Sequence, residues 1–139
     1  MQRVFLRSVM LAALVAVGGC DNELENQLPT TPAPTTTDTF TGSINPNGGM
    51  AHPFNISASG RVTATLTEVA PDNSVTVGFA LGRWNSTLLL CEQTIPKDDA
   101  VQGQILIGDA AGIGTLCARV YDTGRLTGSI NYTVTVVHP

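Results

Sequence analysis

The strongest constraint on the fold is an alternation of apolar and polar residues, with a period of two, that recurs over residues 39–139. From Val62 to Thr67 each apolar residue is followed by a threonine, and related patterns run from Val75 to Leu81 and from Ile130 to Val136. Successive side chains of a β-strand point to opposite faces, so each segment predicts a strand with one apolar face. Such strands are typical of antiparallel sheets that cover a core on one face and meet water on the other.

Turn-forming residues separate these segments at strand spacing. Asn45 to Gly49, Pro71 to Asn73 and Asp122 to Gly124 are clusters of this kind, rich in residues that favour turns. Together the two signals predict about eight strands, near residues 39–44, 52–58, 60–69, 74–83, 86–93, 101–107, 115–122 and 128–137. Many short strands without helical periodicity predict an antiparallel β-sandwich, with a small β-barrel as the alternative.

The first nineteen residues are typical of an export signal. Two basic residues, Arg3 and Arg7, precede an uncharged run from Ser8 to Gly19, which corresponds to the charged and apolar regions of a signal peptide. The run is shorter than the roughly 20 apolar residues that a membrane-spanning helix needs. Residues 1–19 are therefore predicted to be a signal peptide.

The end of this segment carries a more specific pattern. Val17, Gly18, Gly19 and Cys20 resemble the lipobox of bacterial lipoprotein signal peptides. In that family the cysteine sulfur receives a diacylglyceryl group, cleavage exposes the cysteine amine, and the amine usually takes a further acyl chain such as palmitate. The resemblance implies that Cys20 is the lipid attachment site. Acyl chains contribute about 0.8 kcal/mol per buried methylene, so it also implies a stable membrane anchor in the bacterial cell envelope, facing the periplasm or the cell surface.

Residues 20–38 form a predicted linker between this anchor and the strands. The segment is polar and then rich in threonine and proline, with Pro29, Pro32 and Pro34 among its residues. Proline fixes φ and lacks an N–H donor, so the linker is expected to be an extended tether of at most roughly 55 Å. Residues 39–139 are predicted to be the folded domain.

The charge of the chain argues against nucleic acid as a partner. Seven basic residues less Arg3 and Arg7 leave five against eleven acidic residues, a formal charge of −6 for the predicted mature chain. Nucleic-acid-binding proteins cluster their cations to neutralise phosphates. The five remaining cations are instead scattered along the sequence, at Arg61, Arg83, Lys97, Arg119 and Arg125.

Two cysteines, Cys91 and Cys117, remain once Cys20 is assigned to the lipid. An exported protein meets an oxidising compartment, so these two are expected to form a disulfide. Cys117 shares its strand parity with Arg119 and Tyr121, which predicts an outward Cys117 and a disulfide at a sheet surface or rim. The alternative is a catalytic thiol, which requires a nearby base such as His52 or His138.

Three stretches of the domain resemble a known bacterial family. FNISASGRVTATL from Phe54, SVTVGFALG from Ser74 and CARVYDTGRLTGSINYTVTV from Cys117 are similar to bacterial pre-peptidase C-terminal domains. The resemblance implies a jelly-roll-like β-sandwich that acts as a non-catalytic accessory or binding module. Some members of that family bind calcium or polymers. This chain departs from the family in lacking a protease domain and in carrying the cysteine pair.

Sequence motifs for catalysis are weak. The sequence contains no zinc-protease, serine-hydrolase or P-loop pattern. Gly112 and Gly114 match two glycines of a dinucleotide-binding fingerprint, but the third glycine is missing. His52 and His138 are each followed by a proline and are interpreted as surface or strand-end residues. The enzymatic alternative is a triad formed in space by His52 and an aspartate.

Two further groups of residues are candidates for binding. No cofactor is predicted, but calcium is an alternative because Asp98 and Asp99, with Glu92, Asp109 and Asp122, could supply oxygen ligands; the alternating spacing of an EF-hand loop is absent. Trp84, beside Arg83, could stack on a sugar or contact a partner. A single tryptophan is also a common core residue, and this second interpretation is the favoured one.

These observations predict a membrane-anchored lipoprotein that displays a disulfide-linked β-sandwich on a threonine- and proline-rich tether. The leading hypothesis for its function is non-enzymatic binding of an envelope protein or a polysaccharide, with Arg83 and Trp84 as candidate binding residues. The alternatives are a structural spacer without a specific ligand and a small hydrolase.

Overall fold

The computed structural model describes residues 33–139. The predicted signal peptide, the lipobox with Cys20 and the first part of the linker lie outside the described residues. Eight strands are present: β1 (Thr36–Ile44), β2 (Gly49–Ile56), β3 (Gly60–Ala70), β4 (Val77–Asn85), β5 (Leu90–Ala100), β6 (Ile105–Ala110), β7 (Gly114–Tyr121) and β8 (Ile130–His138). None of residues 33–139 forms a helix, so this part of the chain holds none long and apolar enough to cross a membrane.

The strands form two antiparallel sheets of four strands each. The first sheet has the order β1-β8-β3-β6 and the second has the order β2-β7-β4-β5. This arrangement of eight strands in two sheets is that of a jelly roll. The predicted β-sandwich is therefore confirmed, whereas the alternative of a small barrel is wrong, because the two sheets remain separate instead of closing on one another.

The alternation of the sequence defines the inner faces of both sheets. Val62, Ala64 and Leu66 of β3 are buried, and their threonine neighbours point to the opposite face. A bulge between Leu66 and Glu68 shifts this pattern by one residue, so that Val69 is the next buried side chain. The main core is completed by apolar residues of the other strands, including Phe79, Leu81, Val120, Tyr132, Val134 and Val136.

Several predicted boundaries differ from those of the structure. β1 begins at Thr36, inside the predicted linker, because Thr36 pairs with His138 of β8. β5 begins at Leu90 and not at residue 86, because residues 86–89 form the turn that connects it to β4. Both boundaries depend on which residues of a neighbouring strand are available for pairing. The alternation within a single segment does not reveal these partners.

The cysteine pair forms the predicted disulfide, which links β5 to β7 within the second sheet. Cys117 lies on the outer face of β7, as its parity predicts, since Ala118 and Val120 belong to the core. The expectation of a disulfide that does not cross the core is confirmed. Cys117 is nevertheless fully buried, with 0% exposure, so the surface position implied by its parity is wrong.

The backbone of β5 explains why Cys117 is buried. β4 lies between β5 and β7, yet the Cα atoms of the two cysteines are only 5.8 Å apart. The start of β5 therefore crosses over the outer face of β4. It crosses at Gly82, where a Cβ atom would overlap the carbonyl oxygen of Glu92. Glycine is required here because any side chain would occupy the space of the β5 backbone.

Candidate functional site

A cavity of about 410 Å³ lies at one end of the sandwich, where the edge strands β5 and β6 face each other across the two sheets. Its volume is within the range that is usual for small-molecule sites. Most of its wall is aliphatic and comes from both sheets, with side chains of Ile56, Val62, Leu81, Ile95, Ala110 and Leu116. The cavity can therefore hold an apolar group.

Arg83 is the one basic residue that lines this cavity. Its strand neighbour in β7 is Leu116, whose side chain packs against the core, so Arg83 lies on the inner face at the end of β4. No carboxylate within residues 33–139 forms an ion pair with it; the contacts between basic and acidic side chains in this range join Lys97 to Asp99 and His138 to Asp38. Glu92, its partner in β5, instead accepts a hydrogen bond of 2.7 Å from Asn85.

The electrostatics of the cavity follow from this arrangement. A guanidinium that lacks an internal carboxylate partner can donate two parallel hydrogen bonds to a bound carboxylate or phosphate. The remaining polar wall consists of Asp109 and two threonines, Thr94 and Thr115. The site thus combines a mostly aliphatic wall with one exposed cation, Arg83, and one exposed carboxylate, Asp109.

Trp84 does not belong to this cavity, although it is adjacent to Arg83 in sequence. It is half-buried on the outer face of β4, where its partner in β5 is Cys91. It is not part of the main core, so the favoured interpretation as a core residue is wrong. The reason is parity, since neighbouring residues of a strand point to opposite faces. Arg83 and Trp84 therefore cannot form one binding site.

The two histidines lie in an aromatic cluster that joins the open edges of β1 and β2. His52 stacks on Phe40, with ring centroids 5.0 Å apart, and His138 packs against Phe54 at 5.1 Å. Tyr132 contacts His52 from β8. His138 is 3% exposed and His52 is half-buried. The predicted surface or strand-end position is confirmed for His138, which ends β8 although it is buried, and is wrong for His52, which lies inside β2. Both polar rings fill aromatic positions between the sheets.

The hydrogen bonds of the two histidine rings hold them in place between the sheets and do not form a catalytic triad. Nε2 of His52 is 2.8 Å from the hydroxyl oxygen of Tyr132, and burial raises the pKa of that tyrosine to about 12. His138 is 3.1 Å from Asp38 through Nε2 and 3.2 Å from the carbonyl oxygen of Pro139 through Nδ1. In the described range, neither ring bonds a serine hydroxyl, and both cysteines are in the disulfide. Within residues 33–139, no aspartate forms a hydrogen bond or an ion pair with His52.

Burial of His52 leads to a prediction about pH. Burial lowers the pKa of His52 below its usual 6.5. Below about pH 6.5 the unfolded chain therefore binds a proton that the folded chain does not, so the free energy of unfolding falls as pH decreases through this range. We expect urea denaturation to show lower stability at about pH 5.5 than at about pH 7.5, and His52→Gln to remove most of this difference.

The aspartates supply the control for this pH measurement. Asp72, Asp99 and Asp122 have pKa values lowered below 3.8, mainly by hydrogen bonds, so they titrate below the range that His52 governs. Their effect should appear only on further acidification, in wild type and in His52→Gln alike. An unchanged slope between pH 5.5 and 7.5 in His52→Gln would show that another group is responsible.

The acidic residues considered for calcium have other contacts. Asp98 accepts a hydrogen bond from Tyr121, and Asp99 pairs with Lys97 at 2.7 Å. Asp122 accepts four backbone N–H groups, those of Asn47, Gly124, Arg125 and Leu126. Among the described residues, no three histidine, cysteine or acidic side chains are grouped as metal ligands. Calcium binding stays an alternative that these contacts do not support.

The chain matches no known protein-family model and no curated protein. The resemblances to a lipobox and to pre-peptidase C-terminal domains therefore stay predictions. Of the candidate binding residues, sequence analysis identified Arg83 but missed the aliphatic wall around it. Alternation marks Leu81 and Leu116 as inward-facing, but it does not show that the edges of the two sheets leave a space between them.

Proposed function

We propose that this protein is a membrane-anchored lipoprotein that displays a non-enzymatic β-sandwich binding module in the bacterial cell envelope. The lipobox-like sequence that ends at Cys20 supports the anchor, and the disulfide agrees with an oxidising compartment. The observation that carries the binding role is the cavity of about 410 Å³ with Arg83 at its wall. A structural spacer has no need of such a cavity, and so binding is the favoured function.

The lining of the cavity indicates the class of ligand. Its mostly aliphatic wall offers few hydrogen-bond partners to the hydroxyl groups of a sugar. Trp84, which could stack on a sugar, lies on the other face of β4. An amphiphile suits the site better, with its apolar part between Leu81 and Leu116 and its anionic group on Arg83. A fatty acid or the apolar anionic end of a partner molecule has this chemistry.

Octanoate and 1-octanol provide a direct test of this proposal. A soluble chain of residues 33–139 contains both sheets and the whole described core. We expect it to bind octanoate saturably at one site in isothermal titration calorimetry. Arg83→Gln should weaken octanoate binding about tenfold, the effect of losing one charge-assisted hydrogen bond. The same variant should leave the binding of 1-octanol unchanged, since the alcohol carries no charge.

Arg61→Gln is the matched control for this experiment. Arg61 lies near the same end of the sandwich but does not line the cavity. Its replacement by glutamine changes the net charge by the same amount as Arg83→Gln. Equal weakening by both variants would assign the effect to long-range charge and not to a site. A titration without saturation would favour the structural spacer over the binding module.

A further inference from the structure

The chain enters the sandwich at the same end that carries its most exposed apolar side chains. In the first sheet, Thr36 pairs with His138, Thr63 with Val137, and Gly60 with Ala110. The start of β1 and the end of β6 therefore lie at the same end of this sheet, with β8 and β3 between them. The turns of residues 57–59 and 111–113 connect this end to the second sheet, where Asn85 and Leu90 close the turn of residues 86–89. We call this the tethered end.

Two turns at the tethered end present apolar side chains to solvent. Leu88 and Leu89, in the turn between β4 and β5, are 64% and 73% exposed, and Ile113 between β6 and β7 is 86% exposed. These are the three most exposed large apolar residues of the described range. Apolar side chains concentrated on protruding turns indicate an interaction surface.

Hydrogen bonds fix the backbone of the turn of residues 86–89, which we call the leucine turn. The side-chain oxygen of Asn85 accepts hydrogen bonds from the N–H groups of Thr87 and Leu88, at 3.1 and 3.0 Å. Leu89 has a φ of 52°, in the left-handed region where glycine or asparagine is favoured. A bulky apolar residue thus occupies a strained backbone position although 73% of it is exposed to solvent, which points to an external contact.

We infer that the tethered end docks on the surface of the bilayer that holds the anchor, with Leu88, Leu89 and Ile113 inserted among the lipids. This inference rests on the proposed lipid anchor at Cys20. The seventeen residues from Cys20 to Thr36 span at most about 50 Å when extended, which keeps this end close to the membrane at high effective concentration.

Docking would also place the cavity against the lipids. Its wall includes Gly112, Ile113 and Gly114, so the cavity lies beside the inserted turn. An amphiphile could then pass from the bilayer to Arg83 without crossing water. In this arrangement the membrane itself would supply the ligand of the proposed binding site.

Trp84 can report this docking by its fluorescence, because it is the only tryptophan of the chain. It directly precedes Asn85, the last residue of β4 before the turn of residues 86–89. The lipidated mature chain, which begins at Cys20, is placed in phosphatidylcholine vesicles with or without bromine on the acyl chains, because bromine quenches nearby tryptophan fluorescence. We expect the brominated lipid to quench Trp84. Each of Leu88→Ser, Leu89→Ser and Ile113→Ser should reduce the ratio of docked to undocked domain by up to about tenfold.

Val101→Ser and Ile105→Ser are the matched controls, because these residues are 41% and 51% exposed near the opposite end. They should leave the quenching unchanged. Emission in unbrominated vesicles reports whether each variant is folded. Equal quenching in the turn variants and in wild type would overturn the inference.

Flotation of the vesicles separates this inference from the proposed function. A chain that floats with the vesicles but is not quenched keeps the anchor and overturns the docking. A chain that does not float overturns both. A dimer in detergent that depends on Leu88 and Leu89, without quenching in vesicles, would assign the surface to a second copy of the chain and also overturn membrane docking.

Discussion

Replacing both cysteines by alanine should lower the free energy of unfolding of residues 33–139 by about 3 kcal/mol. The Cys91–Cys117 bond closes a loop with a sequence separation of 26. In the chain-entropy model, a loop of this length restricts the unfolded chain enough to stabilise the fold by roughly 3 to 3.5 kcal/mol. For a domain of this size, the loss corresponds to a decrease in melting temperature of about 12 to 25 °C. Urea denaturation and thermal unfolding both measure it.

Reduction of the wild-type disulfide is the control for the double alanine variant. A reductant breaks the same bond without removing side-chain volume from the buried position of Cys117, so it should cause slightly less destabilisation than the substitutions. A reductant should have no effect on the double variant. A loss of less than about 1 kcal/mol in either experiment would show that the unfolded chain gains little freedom when the bond is absent.

The sequence predicts the sandwich because its strands each carry a complete local signal. Ile130 to Val136 alternates without interruption, and β8 is found there with its apolar residues buried. Where alternation does not define the end of a strand, the pairing partners in the folded structure define it. Thr36 to Asp38 resemble the linker in composition but form the start of β1, because they pair with β8 and because Asp38 contacts His138.

The candidate site was less predictable than the fold. Arg83 could be singled out as a cation at the end of a strand, but its separation from Trp84 depends on which face each residue occupies. The cavity depends on two strands, β5 and β6, that face each other across different sheets. The exposure of Leu88 and Leu89 could not be predicted from the sequence either, because it depends on contacts made in the folded chain. A run of three leucines favours a buried strand, whereas the hydrogen bonds of Asn85 hold this run in a turn.

Gly82→Ala should lower the free energy of unfolding by about 3 kcal/mol, at the upper end of the usual cost of overpacking. A Cβ atom at this position would overlap the carbonyl oxygen of Glu92 and approach the Cα atom of Gln93 to 3.0 Å. These are backbone atoms of β5, so relief requires the strand to move away from β4. The disulfide opposes that movement because it holds Cys91 over the same face of the sheet. Urea denaturation measures the cost.

Gly108→Ala is the matched control, since it adds the same methyl group to β6. The only atom near its Cβ is Cδ1 of Ile95, at 3.0 Å, and the end of a flexible side chain can move. Its cost should stay below about 1 kcal/mol. In the double cysteine-to-alanine background, β5 is free to lift from β4, so Gly82→Ala should cost less than in wild type and the two effects should not add. Strict additivity would contradict the role of the disulfide in holding β5 across Gly82.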